Sequence, residues 1–183
     1  MTFFQRLKDA LTQYFYAKRI GKARPRHEFV SLQHAKKVGI LIHIHFFNLR
    51  YAKQITDFIT RLEKEGKQVI IIELNTRNTA DSVFGDQKLC VFLTKKYFNW
   101  LKIPDHYATS RINKHHLDVL IDLDISEEPY ARFLSGLSNA KTRVGIYREG
   151  LDEYYDLMVS MDPNLLPQEL LHNIEHFLNL LKK

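Results

Sequence analysis

His43 and His45 stand two residues apart near the end of an apolar run, and Asp122 and Asp124 stand two apart near the end of another. Along an extended strand, residues i and i+2 share a face, so each pair points to one side. Two imidazoles facing two carboxylates can run acid–base chemistry or hold a divalent cation. The same spacing also arises wherever a strand face simply meets polar loops, so the pairs are read first as a candidate ligand-binding set, with Asn48 beside them and Glu73 and Asn75 on a neighbouring run. A third arrangement, His172-Asn173-Ile174-Glu175-His176, spells H-x-x-E-H and places two imidazoles on one helix face, as zinc would require. Only seven residues follow it, too few to bring up a further ligand from downstream. It is therefore read as a solvated helix face, and no metal or cofactor is assigned.

Other chemistries lack their signatures. There is no G-x-G-x-x-G, no phosphate-binding P-loop and no G-x-S-x-G, and the turn His45-Phe46-Phe47-Asn48 is too bulky for a pyrophosphate to approach the backbone. The single cysteine, Cys90, lies in the run Leu89–Leu93 and reads as a small buried hydrophobe, not a nucleophile.

The candidate residues meet only if the surrounding elements carry them to one place. From Lys37 onward, short apolar runs alternate with helical stretches: strands are expected over 38–44, 68–74, 89–93, 117–123, 142–146 and 155–160. The first two flank a helix with Leu49, Ala52, Ile55, Phe58, Ile59 and Leu62 at helical spacing, Asn48 as its N-cap and Gly66 as its stop. This is a βαβ unit with a right-handed crossover. Residues 75–88 read as a loop, Lys95–Leu101 as a helical turn closed by Pro104, and Ser126 as the cap of a helix running to Leu137 with Glu127, Glu128 and Pro129 in its first turn. A last helix starts near Pro167, with an apolar stripe through Leu170, Leu171, Ile174, Phe177, Leu178 and Leu181.

The expected fold is α/β: a Rossmann-like, mostly parallel sheet of about six strands in the order 3-2-1-4-5-6, helices on both faces, and an extra N-terminal helix. In such a sheet, ligands bind beyond the carboxyl ends of the strands where the chain reverses direction, here between the first and fourth. His43, His45, Asn48, Asp122 and Asp124 all belong to that edge.

Charge divides the 183-residue chain in two. Residues 1–37 hold nine Lys or Arg against Asp9 and Glu28, whereas the whole chain carries only +6, so the remainder is close to neutral. Residues 1–36 are accordingly read as a basic amphipathic helix and connector, and residues 37–183 as the α/β domain. Phe3, Phe4, Leu7, Ala10, Leu11, Tyr14 and Phe15 form one stripe of that helix, which is expected to pack on its own domain or on a second copy, ahead of docking on a membrane or another protein. The stripe accounts for the aromatic residues better than base stacking does, so nucleic acid is not favoured as a partner. No signal-peptide core and no run of about 18 apolar residues occurs, which points to a cytoplasmic protein.

The run Leu117-Asp118-Val119-Leu120-Ile121-Asp122-Leu123, the segment Leu134–Tyr147 (LSGLSNAKTRVGIY) and Tyr155–Val159 together resemble the amino-terminal half of heptosyltransferase-type GT-B glycosyltransferases. The resemblance implies a Rossmann half-fold. It does not carry the activity, because those enzymes have a Gly-Asp loop after their first strand, where this chain has Phe46, Phe47 and Asn48, and a second half for the sugar nucleotide. The layout, a basic helix before one such half, also resembles small bacterial families of uncharacterised α/β proteins. Function is thus read as non-catalytic binding of a small ligand or a protein, with a glycosyltransferase-related or metal-dependent enzyme, and docking through the N-terminal helix, as the alternatives.

Overall fold

A computed structural model describes residues 3–20, 29–44, 49–77, 82–84, 89–126, 128–160 and 167–180. Six strands, β1 (Lys37–His43), β2 (Gln68–Asn75), β3 (Cys90–Thr94), β4 (Val119–Asp122), β5 (Thr142–Ile146) and β6 (Leu157–Val159), form one sheet in the order β3-β2-β1-β4-β5-β6. Every pairing is parallel. Their near-continuous Val, Ile and Leu content follows from burial on both faces, which a parallel sheet requires.

Alternation along the strands sorts the core into two layers. Val38, Ile40, Ile42, Val69, Ile71, Val119, Ile121 and Val144 face α2 (Leu49–Lys64) and α5 (Pro167–Leu180), with Leu32 and Ala35 joining them. Leu41, Ile70, Ile72 and Leu120 face the opposite way, toward α3 (His106–Asn113) and α4 (Tyr130–Leu137). His43 and Asp122 continue the phase of Leu41 and Leu120, which puts both on the α3/α4 side. Gly66 ends α2 as expected: its φ is +81°, and the Gly66 and Lys67 N–H groups donate to the carbonyls of Glu63 and Leu62.

Three expectations need correction. Helix α3 was not foreseen within the polar stretch before β4; Asp105 caps it by accepting from the Ala108 N–H at 2.7 Å, and only Ala108, Thr109 and Ile112 are buried. The helix expected from Ser126 begins only at Tyr130, with Pro129 at its cap, because Ser126 is committed to Asp124 and His43. The N-terminal helix α1 (Phe3–Ile20) packs on its own domain, but of its apolar stripe only Leu11 is seen to join the contact, which is made chiefly by residues outside the stripe. Tyr16 and Ile20 are buried, whereas Phe4, Leu7, Tyr14 and Phe15 are exposed.

Tyr16 packs against Phe133 and Tyr154, with ring centroids 4.9 and 4.6 Å away, and lies over Gly136 of α4. A Cβ on Gly136 would fall 1.7 Å from the tyrosine oxygen, so no larger residue leaves room for the ring. Arg19 adds a hydrogen bond to the Pro104 carbonyl. The segment before β1 is held separately: the Thr142 hydroxyl donates to the Val30 carbonyl and accepts from the Val30 N–H.

Candidate functional site

The parallel register sets Leu41 of β1 beside Asp122 of β4, and two residues further on His43 comes beside Asp124. The structure therefore brings together three of the five candidate residues, His43, Asp122 and Asp124, all buried at the carboxyl edge between β1 and β4. His45 and Asn48 lie outside the described residues, as does the expected capping role of Asn48.

The chain reverses tightly after β4. Asp122 Oδ1 accepts from the Asp124 N–H at 2.9 Å, and Asp124 Oδ1 accepts from the Ser126 N–H at 3.0 Å, two successive Asx turns that turn both carboxylates inward. Asp124 Oδ2 also accepts from the Ser126 hydroxyl at 2.7 Å. His43 Nδ1 lies 3.3 Å from Ser126 Oγ and 3.5 Å from Asp124 Oδ1, while Nε2 lies 2.8 Å from Thr76 Oγ1 after β2. Arg148 closes the turn from outside by donating to the Asp124 and Ser126 carbonyls.

Asp122 lies deeper. Its Oδ2 accepts from the Tyr155 hydroxyl at 2.7 Å and from the Ser135 hydroxyl of α4 at 3.3 Å. Burial pushes its carboxyl up to about 7, and the neighbouring charge of Asp124 adds to the rise; the hydrogen bonds from the Asp124 N–H, Tyr155 and Ser135 oppose it. Burial likewise raises the Tyr155 phenol well above its ordinary value, reinforced by Asp122. Tyr155 reaches Asp122 only because β5 has a glycine beneath it: a Cβ on Gly145 would stand 2.5 Å from the ring.

Each nitrogen of His43 and each carboxylate oxygen of Asp122 and Asp124 thus has a partner within the chain. Among the described residues, no group of three or more His, Cys, Asp or Glu is placed to hold a metal ion. Glu73 belongs to the other face and does different work. Its carboxylate accepts from the Ser82 hydroxyl and from the Val83 and Phe84 N–H groups, pinning the segment that follows β2. Burial, together with the charge of Glu73, pushes the Cys90 thiol up to about 11, which keeps it protonated and a poor nucleophile at neutral pH.

On α5 the His172 and His176 rings stack with centroids 6.4 Å apart, while Glu175 pairs with Arg61 of α2 at 2.7 Å. Next to them a groove of about 690 Å³ runs between α2 and α5, lined by Lys53, Asp57, Phe58, Arg61, Glu169 and His172 among others, on the face of the sheet away from His43 and Asp122.

Tyr155, Ser126, Ser135, Thr76 and Arg148 were not among the residues expected at the edge. Ser126 carries a polar signal, but its place before Glu127 and Glu128 reads as a helix cap. Tyr155 lies 33 residues from Asp122 and within an apolar run, so only the β5–β6 adjacency brings it in. A partly buried ion pair lies outside the expected set: Arg143 holds Asp156 in a two-pronged contact, Nε to Oδ2 at 2.9 Å and Nη2 to Oδ1 at 2.7 Å, fixing β5 to the start of β6.

No curated protein matches the chain. None of the described helices is long and apolar enough to cross a membrane. A family model matches residues 8–181, nearly the whole length, spanning both the N-terminal helix and the sheet: the chain belongs to the family of unknown function DUF6913.

Proposed function

We propose that this protein is a non-catalytic binding module that takes a small ligand or a protein segment at the carboxyl edge of its sheet, between the ends of β1 and β4. One observation carries the reading: the buried polar side chains at the strand ends are saturated by partners in their own chain, so they shape and stiffen the edge without offering a free acid, base or nucleophile. The place is the reversal point where sheets of this order bind ligands. The same proposal treats the chain as a relative of the heptosyltransferase-type half-fold working in a bacterial cytoplasm, a view supported by the strand order and by the wording of residues 117–159.

The test is a thermal-shift screen of the full chain against small anions, sugars, nucleotides and short peptides, repeated on His43→Ala and Asp122→Ala. A ligand that raises the melting temperature of the parent but not of a folded His43→Ala variant supports the reading. Turnover of any hit compound, lost in His43→Ala, overturns its non-catalytic half.

A second reading has one observation in its favour. A buried carboxyl raised to about 7 beside a tyrosine is also how a general acid is built, and in that case Asp122 and His43 would be the working pair. Turnover with a pH profile that breaks near neutrality and vanishes in Asp122→Asn would establish it.

A further inference from the structure

We propose that the outward face of α1 is a docking surface for an anionic lipid bilayer, on which the helix lies flat. At 100° per residue, Phe4, Leu7, Tyr14 and Phe15 fall within one arc of about 100°, and Tyr16 and Ile20, which anchor the helix to α4, project from the opposite side. The geometry matches the burial: Tyr16 is fully buried, whereas Phe4 is 79% and Tyr14 61% exposed. The helix therefore packs on its own domain through Tyr16 and Ile20, with Leu11 half-buried against the same cluster, and turns Phe4, Leu7, Tyr14 and Phe15 to the outside as a ridge. A ridge of this kind on a surface is a sign of an interaction site.

Charge decides the occupant. Lys18 lies in line with the ridge at its carboxyl end and Lys8 lies just beside it, while Arg6, further round the helix, is exposed. Over its whole length α1 carries four cations, Arg6, Lys8, Lys18 and Arg19, against one carboxylate, Asp9. Two copies meeting ridge to ridge would bring together two helices that each carry a net charge of +3, so self-pairing is disfavoured. A negatively charged bilayer answers this charge directly and accepts a convex ridge without a preformed groove. Its interfacial zone also suits tyrosine and phenylalanine, whose rings settle at headgroup depth. The helix is too polar to cross, so it rests on the surface.

The test is co-sedimentation of the full chain with vesicles of phosphatidylcholine alone and of equal parts phosphatidylcholine and phosphatidylglycerol. Binding is expected only to the anionic vesicles and should weaken with added salt. The double variants Phe4→Ser/Phe15→Ser and Arg6→Glu/Lys18→Glu should each lower the partition by roughly tenfold or more. Both should keep the parent's melting temperature and circular dichroism, since all four side chains face solvent; Leu7→Ser/Tyr14→Ser serves as an independent third variant. Absence of binding to anionic vesicles overturns the proposal, as does binding that all three variants retain. A parent that sediments as a dimer, dissociates in Phe4→Ser/Phe15→Ser and ignores vesicles would assign the ridge to a second copy and also overturn it.

Discussion

Replacing Asp122 by asparagine keeps the shape of the side chain and its Oδ1 bond from the Asp124 N–H but removes its ability to ionise. In the native protein the carboxyl is raised from 3.8 to about 7, by burial first and by Asp124 second. The sign of the linkage follows. Between pH 4 and pH 7 the folded chain holds a proton on Asp122 that the unfolded chain has released, so the native state loses stability as pH rises, by up to about 1.4 kcal/mol per pH unit. Across the whole interval this group alone removes about 4 kcal/mol, most of a small domain's margin. In Asp122→Asn that slope is absent, and the amide can donate to the Tyr155 and Ser135 oxygens where the native carboxylate accepts from their hydroxyls. Urea unfolding of both proteins at half-unit steps from pH 4 to pH 8 isolates the difference made by Asp122 and the groups in contact with it, since titrating groups elsewhere contribute equally to both. The variant should gain on the parent by a few kcal/mol toward pH 8. Two stability curves that run parallel would refute the argument, because they would mean that Asp122 is ionised, or hydrated, in the native state throughout.

Gly136→Ala should cost about 1–3 kcal/mol and release α1, since the methyl group falls on the Tyr16 oxygen; limited proteolysis cutting within residues 3–20 would report it. Asp156→Ala leaves the buried Arg143 guanidinium without its carboxylate and should destabilise the fold by about 3–5 kcal/mol in chemical denaturation. Glu73→Ala removes both a negative neighbour of Cys90 and the anchor of residues 82–84, so the thiol should react faster with a disulfide reagent at pH 8, and an unchanged rate would contradict the share of its raised pKa assigned to Glu73 beside burial.

The sheet was readable because its information is one-dimensional. Six short apolar runs separated by polar or helical stretches admit few parallel arrangements, and the run at Thr142–Ile146 has the observed limits. The misreadings have a common cause, in that each depends on a partner far along the chain. Helix α3 shows little period of its own because Tyr107 is exposed and only Ala108, Thr109 and Ile112 turn inward. The apolar stripe of α1 was legible, but which face would dock was not: that choice rests on Gly136 and Tyr154, more than a hundred residues away, which fit the Tyr16 ring. At the candidate site, His43, Asp122 and Asp124 could be named from alternation and strand ends, whereas their partners Tyr155 and Ser135 arrive by tertiary packing that no spacing announces.

Neighbouring residues on one turn of α4 face two ways at once. Gly136 receives the ring from the outermost helix, and Ser135 touches the most deeply placed carboxylate. The rim of the molecule and the heart of its strand edge are thus separated by a single peptide unit. Substitutions at Tyr16 and at Asp122, though made in unrelated stretches of chain, should accordingly fail to combine as independent changes do: whichever comes first has already shifted the shared turn.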